Sequence, residues 1–142
     1  MLLEELRSPI GKPYLFIHHP DRAPWIYADW TGYPTANNVA TGALAYLNWM
    51  QQEQLHGVLN DNRHLVGRWD NSLDWLQHTW LPHTAKCGLR YWAHLDNPGA
   101  MSAESAAALR QLVGGQFEFE IFQDQSAAEQ WLRAGLVRLH HA

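Results

Sequence analysis

The densest run of side chains able to do chemistry is Asn60-Asp61-Asn62-Arg63-His64. Its five positions bring together a carboxylate, an imidazole, a guanidinium and two amides. Asp61 and His64 form a candidate acid–base pair for a small hydrolase or isomerase, provided they converge within hydrogen-bond reach. The same run also fits a polar pocket floor or a partner-contact loop. As plain turn chemistry, the Asn and Asp side chains satisfy the backbone and Arg63 pairs with Asp61 or Asp70. The second concentration is of tryptophan, eight in 142 residues, which supplies large surfaces for a core, a pocket or an interface. Trp69 and Trp80 share one helical stripe and read as core. Trp30, Trp75 and Trp92 are the better candidates for an exposed aromatic surface, although packing between sheet and helix also explains them. Some of Trp30, Trp69, Trp75 and Trp92 could line a pocket for a small apolar or lipid-like molecule.

Other chemistries find no support in the residue spacing. His18 and His19 are adjacent in a strand and point to opposite faces. His78 and His83 are five apart, with Pro82 between them, and miss the spacing that sets two ligands on one helical face. His140 and His141 sit at the end of the sequence. One cysteine cannot build a structural zinc site, so no metal is expected. Neither a G-x-S-x-G elbow, a P-loop nor a G-x-G-x-x-G can be written, and no cofactor is expected. Cys87, before Gly88, reads as a small packed residue rather than a reactive thiolate. A net charge of −4, and lysines only at Lys12 and Lys86, argue against a nucleic-acid backbone as partner. No apolar run is long enough for a membrane span. The acidic start, Met1 to Arg7, is unlike a secretory leader, and a lone cysteine suits a reducing compartment, so the cytoplasm is expected. Charged residues make up only 17% of the chain, which points to self-association.

The elements that must position these residues follow from periodicity. Residues 1–13, with Pro9, Gly11 and Pro13, read as an arm, and residues 14–142 as a single domain. Tyr14 to His18 and Trp25 to Trp30 read as an antiparallel hairpin. A helix over about 35–54 carries one stripe of Val39, Ala43, Tyr46, Leu47 and Met50. Gly57-Val58-Leu59 is a short central strand, followed by the polar loop 60–64. A second helix holds Trp69, Leu73, Leu76 and Trp80, with Pro82 limiting it. Leu89 to Leu95 and Phe117 to Ile121 are strands. Between them lies a helix capped by Ser102 and ended by Gly114-Gly115. A capping box, Ser126 to Glu129, opens the last helix. The expected class is α/β, a mixed five-stranded sheet flanked by about four helices in the order ββαβαβαβα.

This order of elements resembles the SpoIIAA-like or STAS/SEC14-domain proteins of bacteria. The residues that carry the resemblance are Trp30-x-Gly32, Asn60-Asp61-Asn62, Gly67-x-Trp69, Trp75, Pro82, Gly88 and Ala93. The ending Phe122-x-Asp124-x-x-x-Ala128-x-x-Trp131-Leu132 continues it, so the likeness spans roughly residues 14–133. It implies a non-enzymatic module that binds or signals through a protein partner or another copy of itself. In the SEC14 direction it implies a carrier of lipid-like molecules. Phosphoswitch members of the family carry a Ser in a turn directly after a central strand. Asn60 to Arg63 hold that place here without a hydroxyl, and Ser72 fits a helix start, so no phosphorylation is expected.

Overall fold

A computed structural model of the chain describes residues 1–140; His141, Ala142 and the side chain of His140, which include the terminal histidine pair, lie outside the described residues. Among the described residues, six strands rather than five form one sheet, in the order β1-β2-β3-β4-β5-β6. They are β1 (Leu2–Arg7), β2 (Pro13–His18), β3 (Ile26–Gly32), β4 (Gly57–Leu65), β5 (Tyr91–Leu95) and β6 (Glu118–Phe122). The first two pairings are antiparallel and the last three parallel. The additional strand is β1, which replaces the expected N-terminal arm. A register shift between Leu2 and Glu4 breaks its alternation, and such a bulge hides a strand from a period-2 reading. Leu3 and Leu6 still reach the core, and Glu4 accepts the Trp49 indole N–H at 2.8 Å.

Helix α1 (Ala36–Gln52) is capped by Thr35, whose hydroxyl accepts from the Asn38 N–H at 3.2 Å. All five residues of its expected stripe are buried. Helix α2 (73–87) follows a 3-10 turn at Asp70–Ser72 and does not stop at Pro82. It widens into a π turn over Leu76–Trp80, with Leu81 N–H bonded to Leu76 O, and then continues as α-helix over Leu81–Cys87. Proline lacks an N–H and its ring crowds the carbonyl four residues back, so a wider turn just before it lets the helix run on. Gly88, at φ 81°, ends the helix in the left-handed conformation.

Two further caps differ from expectation. Ser102 opens α3 (Ser102–Val113) but spends its hydroxyl on Asp96 instead of the helix backbone. The last helix, α4 (Gln125–His140), begins earlier than Ser126, because Asp124 accepts from the Ala127 N–H at 2.9 Å.

Helices α1, α2 and α3 cover one face of the sheet, where Leu15, Ile17, Val58, Trp80 and Trp92 lie in the larger core. On the other face α4 lies over β4, β5 and β6, packing Leu132 and Leu136 on Leu59, Ala93 and Leu95. No helix among the described residues is long and apolar enough to cross a membrane.

Gly42 lets α1 sit close to the sheet. A Cβ there would strike the Trp30 ring and come within 2.7 Å of Leu15 Cδ2. Gly42→Ala should therefore destabilise the fold by about 1–3 kcal/mol through overpacking, despite its better helix propensity. Urea denaturation measures this, and an unchanged or raised midpoint would refute the close approach.

Candidate functional site

Asn60 to His64 form no loop. They continue β4, pairing with β3 through Ala28–Asn60, Asp29–Asp61 and Thr31–His64. Strand alternation therefore divides the run between the two faces of the sheet. Asn60 and Asn62 face α1–α3, while Asp61 and Arg63 face α4, where Arg63 donates to Gln125 Oε1 at 2.8 Å. His64 lies exposed at the strand's end.

On the α1–α3 side a buried polar chain crosses three strands. Trp30 Nε1–H donates to Asn60 Oδ1 at 2.8 Å. The Asn60 amide donates to Asn62 Oδ1 at 3.0 Å and lies 3.5 Å from His94 Nδ1. His94 Nε2 stands 3.2 Å from Asp96 Oδ2, which also accepts from Ser102 Oγ at 2.7 Å. Asp96 Oδ1 accepts from the Asn97 N–H at 3.0 Å. An acceptor at Nε2 and a donor facing Nδ1 assign the proton of His94 to Nε2. The imidazole itself is stacked on Trp92, at 5.3 Å between centroids. Ser, His and Asp thus meet without forming a nucleophilic triad, because the hydroxyl sits on the carboxylate and not on the imidazole.

Beside this chain lies a cavity of about 40 Å³ lined by Asn60, Asn62, Trp30, Trp69, Trp92 and, among others, Tyr46 and Trp80. Of the tryptophans expected on the surface, Trp30 and Trp92 are buried in this wall. Trp75 is half-buried against the core and does not line the cavity. Burial pushes the Tyr46 hydroxyl far above the ordinary phenol range.

On the α4 side, Asp61 is fully buried and saturated. It accepts from Tyr27 Oη at 2.6 Å, from the Arg63 N–H at 3.0 Å, and from Arg63 Nε and Nη2 at 3.0 and 2.9 Å. Burial alone would raise the Asp61 carboxyl, but the Arg63 guanidinium, Tyr27 and the Arg63 backbone together hold it below the usual range. Its hydrogen bonds raise Arg63 in turn, and burial followed by the Asp61 contact raises Tyr27. His64 does not join Asp61. Its Nδ1 lies 3.4 Å from Asp29 Oδ1. Burial, then the charge of Asp61, pushes the Asp29 carboxyl up against the pull of His64. No acid–base pair of Asp61 and His64 is formed. Among the described residues, no three His, Cys, Asp or Glu side chains converge on a metal position.

The ends of the parallel strands contribute a feature that sequence reading missed. Tyr33, Val66 and Met101 are 72%, 52% and 62% exposed, and they stand on the loops after β3, β4 and β5. Hydrogen bonds anchor the loops after β4 and β5 to neighbouring strands and to α3. Val66 N–H donates to Gly32 O at 3.0 Å, Asn97 Nδ2 to Arg63 O at 2.8 Å, and Arg68 Nη1 to Glu104 Oε2 at 2.5 Å. Isolated apolar residues in loops carry no periodic signal; only the strand order brings them to one edge.

No protein-family model matches the chain, and no curated protein matches it in sequence. Its structure is similar to the crystal structure of an anti-sigma factor antagonist from Mycobacterium paratuberculosis, with a TM-score of 0.60 and 12% identity. The match covers 90% of this chain and 99% of that one. The fold is therefore STAS/SpoIIAA-like, with a single mixed sheet and four helices among the described residues.

The depressed Asp61 carboxyl fixes a pH dependence. Its stabilising contribution is complete above the unfolded value, near pH 4, and is lost as pH falls through the lower folded value. Asp61→Asn should cost about 2–4 kcal/mol at neutral pH by leaving Arg63 without its counter-ion. It should also flatten the loss of stability in acid. Urea midpoints measured between about pH 7 and about pH 2 test this, and equal acid slopes for both proteins would refute it.

Proposed function

We propose that this chain is a non-enzymatic binding or signalling module that docks a protein through the carboxyl-terminal edge of its parallel strands. The partner is another protein or a second copy of the chain, and the lone Cys87 fits work in the cytoplasm. The observation that carries the reading is the trio Tyr33, Val66 and Met101, exposed just after three successive parallel strands of that edge. In open α/β sheets this is the edge at which ligands bind. The similar solved structure is described as an anti-sigma factor antagonist, which supports a regulatory role exercised on another protein. The two polar systems support it too. Asp61 has its lone pairs engaged, and Asp96 is buried beneath Ser102 and the Asn97 N–H, so neither carboxylate is free to act as a base. Residues Asn60 to His64 serve the edge from below, by fixing the strand ends from which its loops leave.

A lipid carrier is the weaker reading. A cavity of about 150 Å³ is what admits benzene, and the one beside Trp30, Trp69 and Trp92 is about 40 Å³.

Native mass spectrometry of the gently purified protein, with a photo-crosslinker in place of Tyr33, tests the reading. We expect a defined complex whose affinity falls at least tenfold (about 1.4 kcal/mol) in Tyr33→Ser/Val66→Ser/Met101→Ser. The fold should be unchanged, because all three side chains are exposed. Absence of any complex, or a complex indifferent to the triple substitution, would overturn it.

A further inference from the structure

Met101 stands exposed at the docking edge, yet the residue that follows it is buried. Ser102 opens α3 and donates its hydroxyl proton to Asp96 Oδ2 at 2.7 Å. The other oxygen of that carboxylate, Oδ1, accepts the Asn97 N–H at 3.0 Å. One carboxylate therefore grips both ends of the segment Asn97-Pro98-Gly99-Ala100-Met101. A serine at a helix start ordinarily caps the helix backbone. Here it is committed to Asp96, and no side chain among the described residues caps α3 in its stead. Asp96 is a firm anchor, because its N–H donates to Phe122 O at 3.0 Å and His94 Nε2 stands 3.2 Å from its Oδ2.

The gripped segment has little intrinsic order. Asn97, Pro98, Gly99 and Met101 are exposed, and Gly99 turns the chain at φ 71°. Ala100 N–H closes a turn on Asn97 O at 3.2 Å, and Asn97 Nδ2 reaches across to Arg63 O at 2.8 Å. Few buried apolar contacts and exposed backbone are the marks of a segment that opens easily. We propose that Asp96 is a positioning residue for docking: with Ser102 and the Asn97 N–H it forms a clasp that holds Met101 where a partner meets it. The inference rests on the docking reading for its purpose, while its geometry belongs to the free protein. Asp96 and Ser102 are each 2% exposed, so neither can touch a docked protein. Their influence passes through the loop. A hydrogen bond to a carboxylate is stronger than a neutral one, and its loss shifts the closed–open balance of the loop by about tenfold or more. A partner then binds only the fraction of molecules whose loop is closed, and its apparent affinity falls by that fraction.

Ser102→Ala opens one end of the clasp with little change in volume, and Ser102→Cys, nearly isosteric with a weaker donor, is the milder variant. The first measurement is amide hydrogen exchange in the free, full-length protein. In Ser102→Ala we expect the Asn97, Ala100 and Ala103 amides to exchange at least about tenfold faster, those of the β1–β2 pairing to keep their rates, and Ser102→Cys to fall between. Unchanged exchange at Asn97, Ala100 and Ala103 would overturn the clasp. Equal acceleration in both regions would overturn it too, as a general loss of stability. The second measurement is a double-mutant cycle on the complex captured in native mass spectrometry. Ser102→Ala should weaken that complex at least about threefold when Met101 is present and leave it unchanged in the Met101→Ser background. Equal weakening in both backgrounds would refute the positioning role while sparing the docking reading. Failure to find any complex would sink the docking reading and the positioning role with it, and exchange would still decide whether the clasp exists.

Discussion

Asn60 is the constraint on which the rest of the structure leans. It sits in the central parallel strand, 4% exposed, and its one amide group receives the Trp30 indole, feeds Asn62 and reaches towards His94. An amide buried in an apolar layer is costly unless its donors and acceptor are all engaged. Meeting that condition fixes the rotamers of Trp30 on β3 and His94 on β5, and through His94 the position of Asp96. Asp96 in turn holds Ser102, the first residue of α3. The spacing of three strands and the entry of a helix thus follow from satisfying one side chain. Gly42 belongs to the same logic, since α1 can approach only because the Trp30 ring it touches is already pinned.

Strand alternation explains why a single stretch of sequence serves two unlike environments. Towards α1–α3 it presents amides, which extend a neutral hydrogen-bonded chain. Towards α4 it presents Asp61 and Arg63, an ion pair with Tyr27 and Gln125 completing its hydrogen bonds. Had the five residues formed a loop, all could have turned to one ligand, and an acid–base site would have been available. Paired with β3, they cannot. The structure places the Asp61–Arg63 ion pair on the face that α4 covers and lines the cavity on the other face with uncharged side chains.

The fold was largely legible in the sequence because its signals are periodic. The α1 stripe from Val39 to Met50, the alternation of β5 and the resemblance to STAS-like proteins all depend on regular spacing, and they led to the right class. What escaped was irregular for physical reasons. The bulge in β1 disguised a strand as an arm. The π turn carried α2 past Pro82, a residue that ordinarily ends a helix. Asn60 to His64 have loop composition, and they form a strand only because Trp30, Tyr27 and Gln125 wait at the right places in other elements. The candidate site was therefore half visible. Trp30, Trp69, Trp92, Asn60 and Asn62 do meet around one cavity, but the helical stripes that carry Tyr46 and Trp80 signal only a core, and the exposed loop edge has no sequence signature.

These arrangements withhold what general base catalysis requires. A general base needs a free lone pair near its substrate and a proton affinity suited to neutral pH. Asp61 has neither, since Arg63 and Tyr27 occupy its oxygens and hold its carboxyl low. Asp29 is raised by burial and by its neighbour's charge, and it faces the exposed His64 at the strand's end. The buried imidazole of His94 is flanked by rings and held at both nitrogens. Every strong acid and base near the centre is thus engaged in holding strands in place. At the ends of its parallel strands the molecule instead exposes the apolar side chains of Tyr33, Val66 and Met101.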